Sequence, residues 1–137
     1  MRLRRITLIT LFLSRWVVVE MRVPRKFRVK GKEWRTRLDV DKIHHESVLC
    51  DGLTLKKCDQ VELDGVKQSV PARTILLSKS LSQKERMSVF MHELMHVILF
   101  EAHCDVMDED IEEIVCDAAS DVLCELFEIR WKRRRAK

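Results

Sequence analysis

The stretch SQKERMSVFMHELMHVILFEA, residues 82–102, decides how the rest of the chain is read. Ser82 with Glu85 three residues later forms a capping box, in which each side chain can satisfy a free backbone N–H at a helix start. A helical pattern follows, so the sequence predicts a helix from Gln83 to about Ala102. Inside that apolar run stand His92, Glu93 and His96. The two histidines, four residues apart, share one helix face a turn apart, close enough for both imidazoles to reach one cation. Glu93 lies about 100° around the helix from His92, where it can touch a water on that cation without being a ligand.

This is the H-E-x-x-H arrangement. Zinc suits it, because nitrogen ligands at about 2.0–2.1 Å in a tetrahedral site leave room for a water whose pKa the metal lowers towards about 7. Shuffling this composition gives roughly 0.016 such matches per chain, so accident is a poor explanation. A helix that merely buries the three polar groups is a poor one too. Two histidines and a glutamate among Phe90, Met91, Leu94, Met95, Val97, Ile98, Leu99 and Phe100 are costly to bury unless they share a partner.

Two histidines call for a third ligand. If the helix continued, His103 would lie about 10.5 Å further along the axis than His96, too far to share the ion; it reads as a helix-end residue. The pattern H-E-x-x-H-x-x-G-x-x-H also fails, because Leu99 and Ala102 stand where its glycine and third histidine would fall. The better source is a second helix, capped by Asp108, with Glu109, Asp110, Glu112 and Glu113 at its start and basic residues at its end near Trp131. A short link would fold it back beside the histidines. It is apolar on more than one side. Val115, Ala118, Ala119, Val122 and Leu126 form one stripe with Glu112 at its border, while Glu113 heads a second stripe of small residues, Cys116, Ser120 and Cys124. The second stripe permits close helix packing. Glu113 with Asp117 also gives an E-x-x-x-D pattern in which the aspartate can support a histidine. Glu113 is therefore preferred as third ligand, with Glu112 the alternative.

Upstream, the pattern changes to that of strands. FRV-KGK-EWRTRL, residues 27–38, alternates about Gly31 as a hairpin does, and Asp64-Gly65 suits a second hairpin between Val61-Leu63 and Val66. Residues 39–59 are mixed, with a turn signal at Asp51-Gly52. The run RTILLS, residues 73–78, reads as a buried or half-buried strand and as the edge along which an extended peptide could lie. The expected fold is α+β: a small antiparallel or mixed sheet, then the H-E-x-x-H helix, then the helix with the third ligand.

With 137 residues, 46% hydrophobic and 35% charged, the chain suits one folded domain. Its organisation is read as an extension over residues 1–20, a domain over 21–131 and a basic tail over 132–137. MRLRR followed by ITLITLFL looks like the start of a signal peptide, but no small-x-small cleavage site follows. The apolar run is also far short of the ~20 residues a membrane span needs. An extension upstream of a domain starting at Met21 comes first, ahead of a helix packed on the domain or a weak export signal. Five cysteines without a C-x2-C spacing fit a reducing, cytoplasmic setting. The net charge of +4 is concentrated at the ends, and the basic C-terminus reads as a solvated end before it reads as a nucleic-acid contact.

The run RTILLSKSLSQKERMSVFMHELMHVILFEA with DEDIEEIVCDAASDVL resembles the small zincin-like metallopeptidases of the ImmA/IrrE kind, including compact versions common in bacteriophage genomes. The likeness covers residues 73 to about 127 well, and GKEW and CDGL loosely. It implies zinc, His92 and His96 as ligands, Glu93 as the catalytic carboxylate, and Glu113, through EIVCD, as third ligand. It further implies a peptide or protein substrate. The helix-turn-helix domain that often accompanies such peptidases has no counterpart here. A peptide deformylase, which shares H-E-x-x-H but needs an E-G-C-L context, is disfavoured by LCDGL at Leu49–Leu53. The other function class is a catalytically silent, zinc-stabilised module that contacts protein or nucleic acid through the basic tail.

Overall fold

The computed structural model describes residues 22–104 and 107–135, with side chains as far as Glu125. The expected extension over residues 1–20 and the side chains of the basic tail lie outside the described residues.

Eight strands precede two helices: β1 Lys26–Val29, β2 Lys32–Val40, β3 Ile43–His45, β4 Val48–Cys50, β5 Gly52–Leu55, β6 Asp59–Leu63, β7 Val66–Val70, β8 Thr74–Ser78, α1 Gln83–Glu101 and α2 Glu109–Arg135. The α+β expectation holds, but with two four-stranded sheets, ordered β1-β2-β8-β5 and β4-β3-β6-β7. Both expected hairpins form. At their turns Lys30 and Gly31 have φ of 49° and 79°, and Asp64 and Gly65 have 52° and 85°. Such paired positive φ values match the twist of the flanking strands.

RTILLS is a strand, but it is not an edge. Strand β8 pairs in parallel with β2 on one side and antiparallel with β5 on the other, so both rows of its backbone groups are used. Its residues are all buried, and their alternation serves two cores. Ile75 and Leu77 join Phe27, Trp34, Met87, Phe90, Met91 and Val97 beneath α1. Leu76 joins Val40, Ile43, Leu55, Val61, Leu63 and Val70 between the sheets. A strand covered on both faces has no polar face to present, which is why it reads as a continuous apolar run. The outer strand beside α1 is β5.

Helix α1 starts on the predicted capping box: Ser82 Oγ accepts from Glu85 N at 3.2 Å, and Glu85 Oε1 accepts from Ser82 N at 3.1 Å. It ends where His103 turns to a φ of 58° and Cys104 N–H donates back to Leu99 O at 2.8 Å. Asp108 caps α2 by accepting from Asp110 N at 2.8 Å, and this helix runs to Arg135, past the expected stop near Trp131. Of its two stripes, the small one is the packed one. Cys116 and Ser120 are buried, whereas Val115 and Val122 are exposed. No disulfide joins any of the five cysteines, so Cys50 and Cys58 do not pair. Among the described residues, no helix is long and apolar enough to cross a membrane.

The far end of α1 is fixed to the sheet by Glu101, whose Oε2 accepts from Trp34 Nε1 at 2.7 Å and Arg73 Nε at 2.9 Å. Burial pushes the Glu101 carboxyl up, but its bonds to Arg73 and Trp34 outweigh that and hold it below its ordinary value. A carboxyl with a depressed pKa contributes stability that is present above its unfolded pKa and lost as pH falls through the folded one. Glu101→Ala leaves the fully buried Trp34 N–H without its acceptor, a cost of about 1–3 kcal/mol. In urea titrations the variant is expected to be that much less stable at neutral pH, with the gap narrowing below pH 4.

Candidate metal centre

The capping box and the packing of Phe90, Met91 and Val97 fix the rotation of α1, and that rotation turns His92 and His96 towards α2. Their Nε2 atoms lie 3.2 Å apart. The Glu113 carboxylate spans both, with Oε1 2.9 Å from His96 Nε2 and Oε2 3.1 Å from His92 Nε2. Ligands of a tetrahedral zinc at about 2.0–2.1 Å stand about 3.3 Å from one another, close to these separations.

The other ring nitrogens are engaged as well. His92 Nδ1 lies 2.8 Å from Asp117 Oδ1, and His96 Nδ1 lies 2.5 Å from Glu112 Oε2. With a cation at the shared point, each Nδ1 would carry the proton and donate to its carboxylate, and each Nε2 would present a lone pair alongside Glu113. Carboxylates in this outer position fix the ring and raise its basicity as a metal ligand. Adjacent glutamates thus face different atoms: Glu113 faces the converging nitrogens, while Glu112 lies behind His96. Glu112 is buried and also accepts from Lys56 Nζ at 3.4 Å, whereas the Glu113 side chain is 56% exposed.

Glu93 is buried against the first sheet, with Oε2 3.9 Å from His92 Nε2. Burial pushes its carboxyl above the ordinary value, against the opposing pull of His96, His92 and the Thr54 hydroxyl. Thr54 on β5 donates to Glu93, lying 3.2 Å from both Oε1 and the main-chain oxygen. Gly52 lets β5 come this close, because a Cβ there would stand 2.5 Å from Val89 Cγ1 and 3.2 Å from Glu93 Cγ. Beneath the site, burial and then the surrounding carboxylates push the Cys116 thiol up to about 12, so it stays protonated.

His92, Glu93 and His96 form one group with metal-ligand spacing, and His92, Glu113 and Asp117 form another. The sequence reading did not single out Thr54 or Lys56, and it weighed Glu112 only as a ligand. GLTL carries no signal beyond one polar residue in a short strand. His44, His45 and Arg73 pair with Glu62, Asp59 and Glu101, and His103 sits exposed at the helix end.

If this group holds a divalent cation such as zinc, Asp117→Asn and Glu112→Gln are each expected to weaken its binding about 10–100-fold. Competition against a chromophoric chelator would measure this, with circular dichroism confirming the fold.

No curated protein and no solved structure matches the chain significantly. Residues 53–115 match the model of the Peptidase_M78 family, from β5 through α1 to the first turns of α2. This segment, just under half of the 137 residues, contains both histidines, Glu93, Glu112 and Glu113, and ends two residues before Asp117. The family resemblance read from the sequence is thereby borne out over this segment: residues 53–115 match the IrrE N-terminal-like domain of the Peptidase_M78 metallopeptidase family.

Proposed function

We propose that this chain is a zinc-dependent peptidase, with His92, His96 and Glu113 holding the ion and Glu93 as general base. The observation that carries the reading is the convergence of two Nε2 atoms and the Glu113 carboxylate within 2.9–3.2 Å of one another. Three electron-pair donors directed at one point, with Glu93, Glu112 and Asp117 around them, form a setting that a cation completes. When bound, zinc supplies Lewis acidity, lowering the pKa of a water towards about 7 and polarising a carbonyl.

The chain's own groups supply the rest. Thr54 engages Glu93 Oε1, leaving Oε2 to take a proton from the attacking water and return it to the leaving amine. Burial of Glu93 excludes competing solvent and raises its basicity. Strand β5 ends its sheet, so its outer backbone groups offer the pairing edge first sought in RTILLS. An extended peptide added there would run past Thr54 and Glu93, held mainly by main-chain hydrogen bonds.

The test is digestion of a mixed peptide library by the zinc-loaded chain. New termini that appear with zinc and vanish with a chelator are expected. An unchanged library would overturn the peptidase reading, and metal analysis of the same sample would show whether zinc or iron fills a two-histidine, one-carboxylate set.

A further inference from the structure

The small-residue face of α2 packs inward, which leaves the helix's other apolar stripe uncovered among the described residues. Ile111, Val115, Ala118 and Val122 are exposed. They are spaced by four, three and four residues, the interval of a heptad seam in a coiled coil. Ile114, 66% exposed, widens the stripe. These residues account for four of the eight large exposed hydrophobics among the described residues, so the apolar surface is concentrated on one helix face.

The charge along α2 indicates what covers it. From 109 to 121 the helix carries Glu109, Asp110, Glu112, Glu113, Asp117 and Asp121 and no basic residue; from 126 to 135 it carries Arg130, Lys132, Arg133, Arg134 and Arg135 against Glu128. Two copies of this helix side by side in parallel would set acid against acid and base against base. Side by side antiparallel, the acidic first half of each meets the basic last turns of the other. We propose that the exposed stripe of α2 docks a second copy of this chain, antiparallel, in a two-fold symmetric helix pair.

Such a contact is self-complementary, so one stripe serves both partners. Charge matching across a seam fixes partner orientation. The 27 residues of α2 give about 40 Å of contact length. Glu113 and Asp117 lie roughly 130–170° around the helix from the stripe, so pairing leaves both metal centres open.

The test is light scattering on the full-length chain at micromolar and tens of micromolar concentrations, at low and high salt. The expected mass is twice 16.3 kDa, with dissociation promoted by salt. The double variant Val115→Glu and Val122→Glu is expected to raise the dissociation constant about a hundredfold or more with an unchanged circular dichroism spectrum. A second pair of variants tests orientation. Replacing Lys132, Arg133, Arg134 and Arg135 by Glu, or Glu109, Asp110 and Asp121 by Lys, should abolish self-association, while mixing the two chains restores a dimer. A wild-type chain that stays monomeric, or a dimer indifferent to the stripe substitutions, would overturn the proposal. So would a dimer that appears only after residues 1–21 are deleted, since the chain's own N-terminal segment would then be the occupant.

Discussion

Purified protein is expected to carry about one zinc per chain, and His96→Ala to carry none. His96 is the more enclosed of the two histidines, with a side chain 10% exposed against 19% for His92. One of its nitrogens faces Glu113 and the other Glu112. Removing the ring deletes one of three donors and leaves Glu112 buried beside a void. Its contribution should also appear as stability. A site saturated at about a thousand times its dissociation constant adds about 4 kcal/mol to folding, a rise in melting temperature of roughly 15 °C for a domain of this size. Wild type should show that rise on adding zinc, and the variant should not. His92→Ala, nearer the surface, provides the same comparison with less risk to the core. If wild type takes up no metal when zinc is added to folded protein, the helix is a core helix only, and the peptidase reading falls with it.

The helices were legible because their signals are local. Ser82 and Glu85 sit within one turn of each other, and the bonds they form need no help from the rest of the fold. Lys30-Gly31 and Asp64-Gly65 were legible because glycine marks a positive φ. The other half of the second sheet, β3 and β4, was not. Its β3-β4 turn is made by Glu46 and Ser47 with φ of 51° and 64°, residues that give no turn signal of the glycine or asparagine kind. The position of β8 was equally hidden, since its parallel pairing with β2 joins residues almost forty positions apart and leaves no local mark.

At the site, spacing named the helix face, and the small-residue stripe, the E-x-x-x-D pattern and the family resemblance all favoured Glu113. Which nitrogen each acid would face is a tertiary matter. Glu112 and Glu113 differ by about 100° of helix rotation, and the approach of α2 on Cys116 and Ser120 decides the outcome. The contact of Thr54 with Glu93 arises only because β5 is pressed against α1 at Gly52.

Glu93→Gln is expected to lower peptide hydrolysis about 10²–10⁴-fold while leaving zinc content unchanged. Glutamine keeps the volume of the side chain and can still meet the Thr54 hydroxyl, but it cannot accept a proton. Because Glu93 is buried, replacing a carboxyl with a neutral amide also removes the cost of keeping a charge out of water. The variant should therefore be at least as stable as wild type. This combination separates two proteins that share the same zinc site. An enzyme loses turnover and keeps its metal, whereas a zinc-stabilised binding module has no activity to lose, and its contacts with protein or nucleic acid survive the change. Hydrolysis that persists in Glu93→Gln at the wild-type rate would remove the general-base assignment even if the zinc is present. Loss of both zinc and turnover would instead make Glu93 a ligand, a role its 3.9 Å separation from His92 Nε2 does not favour.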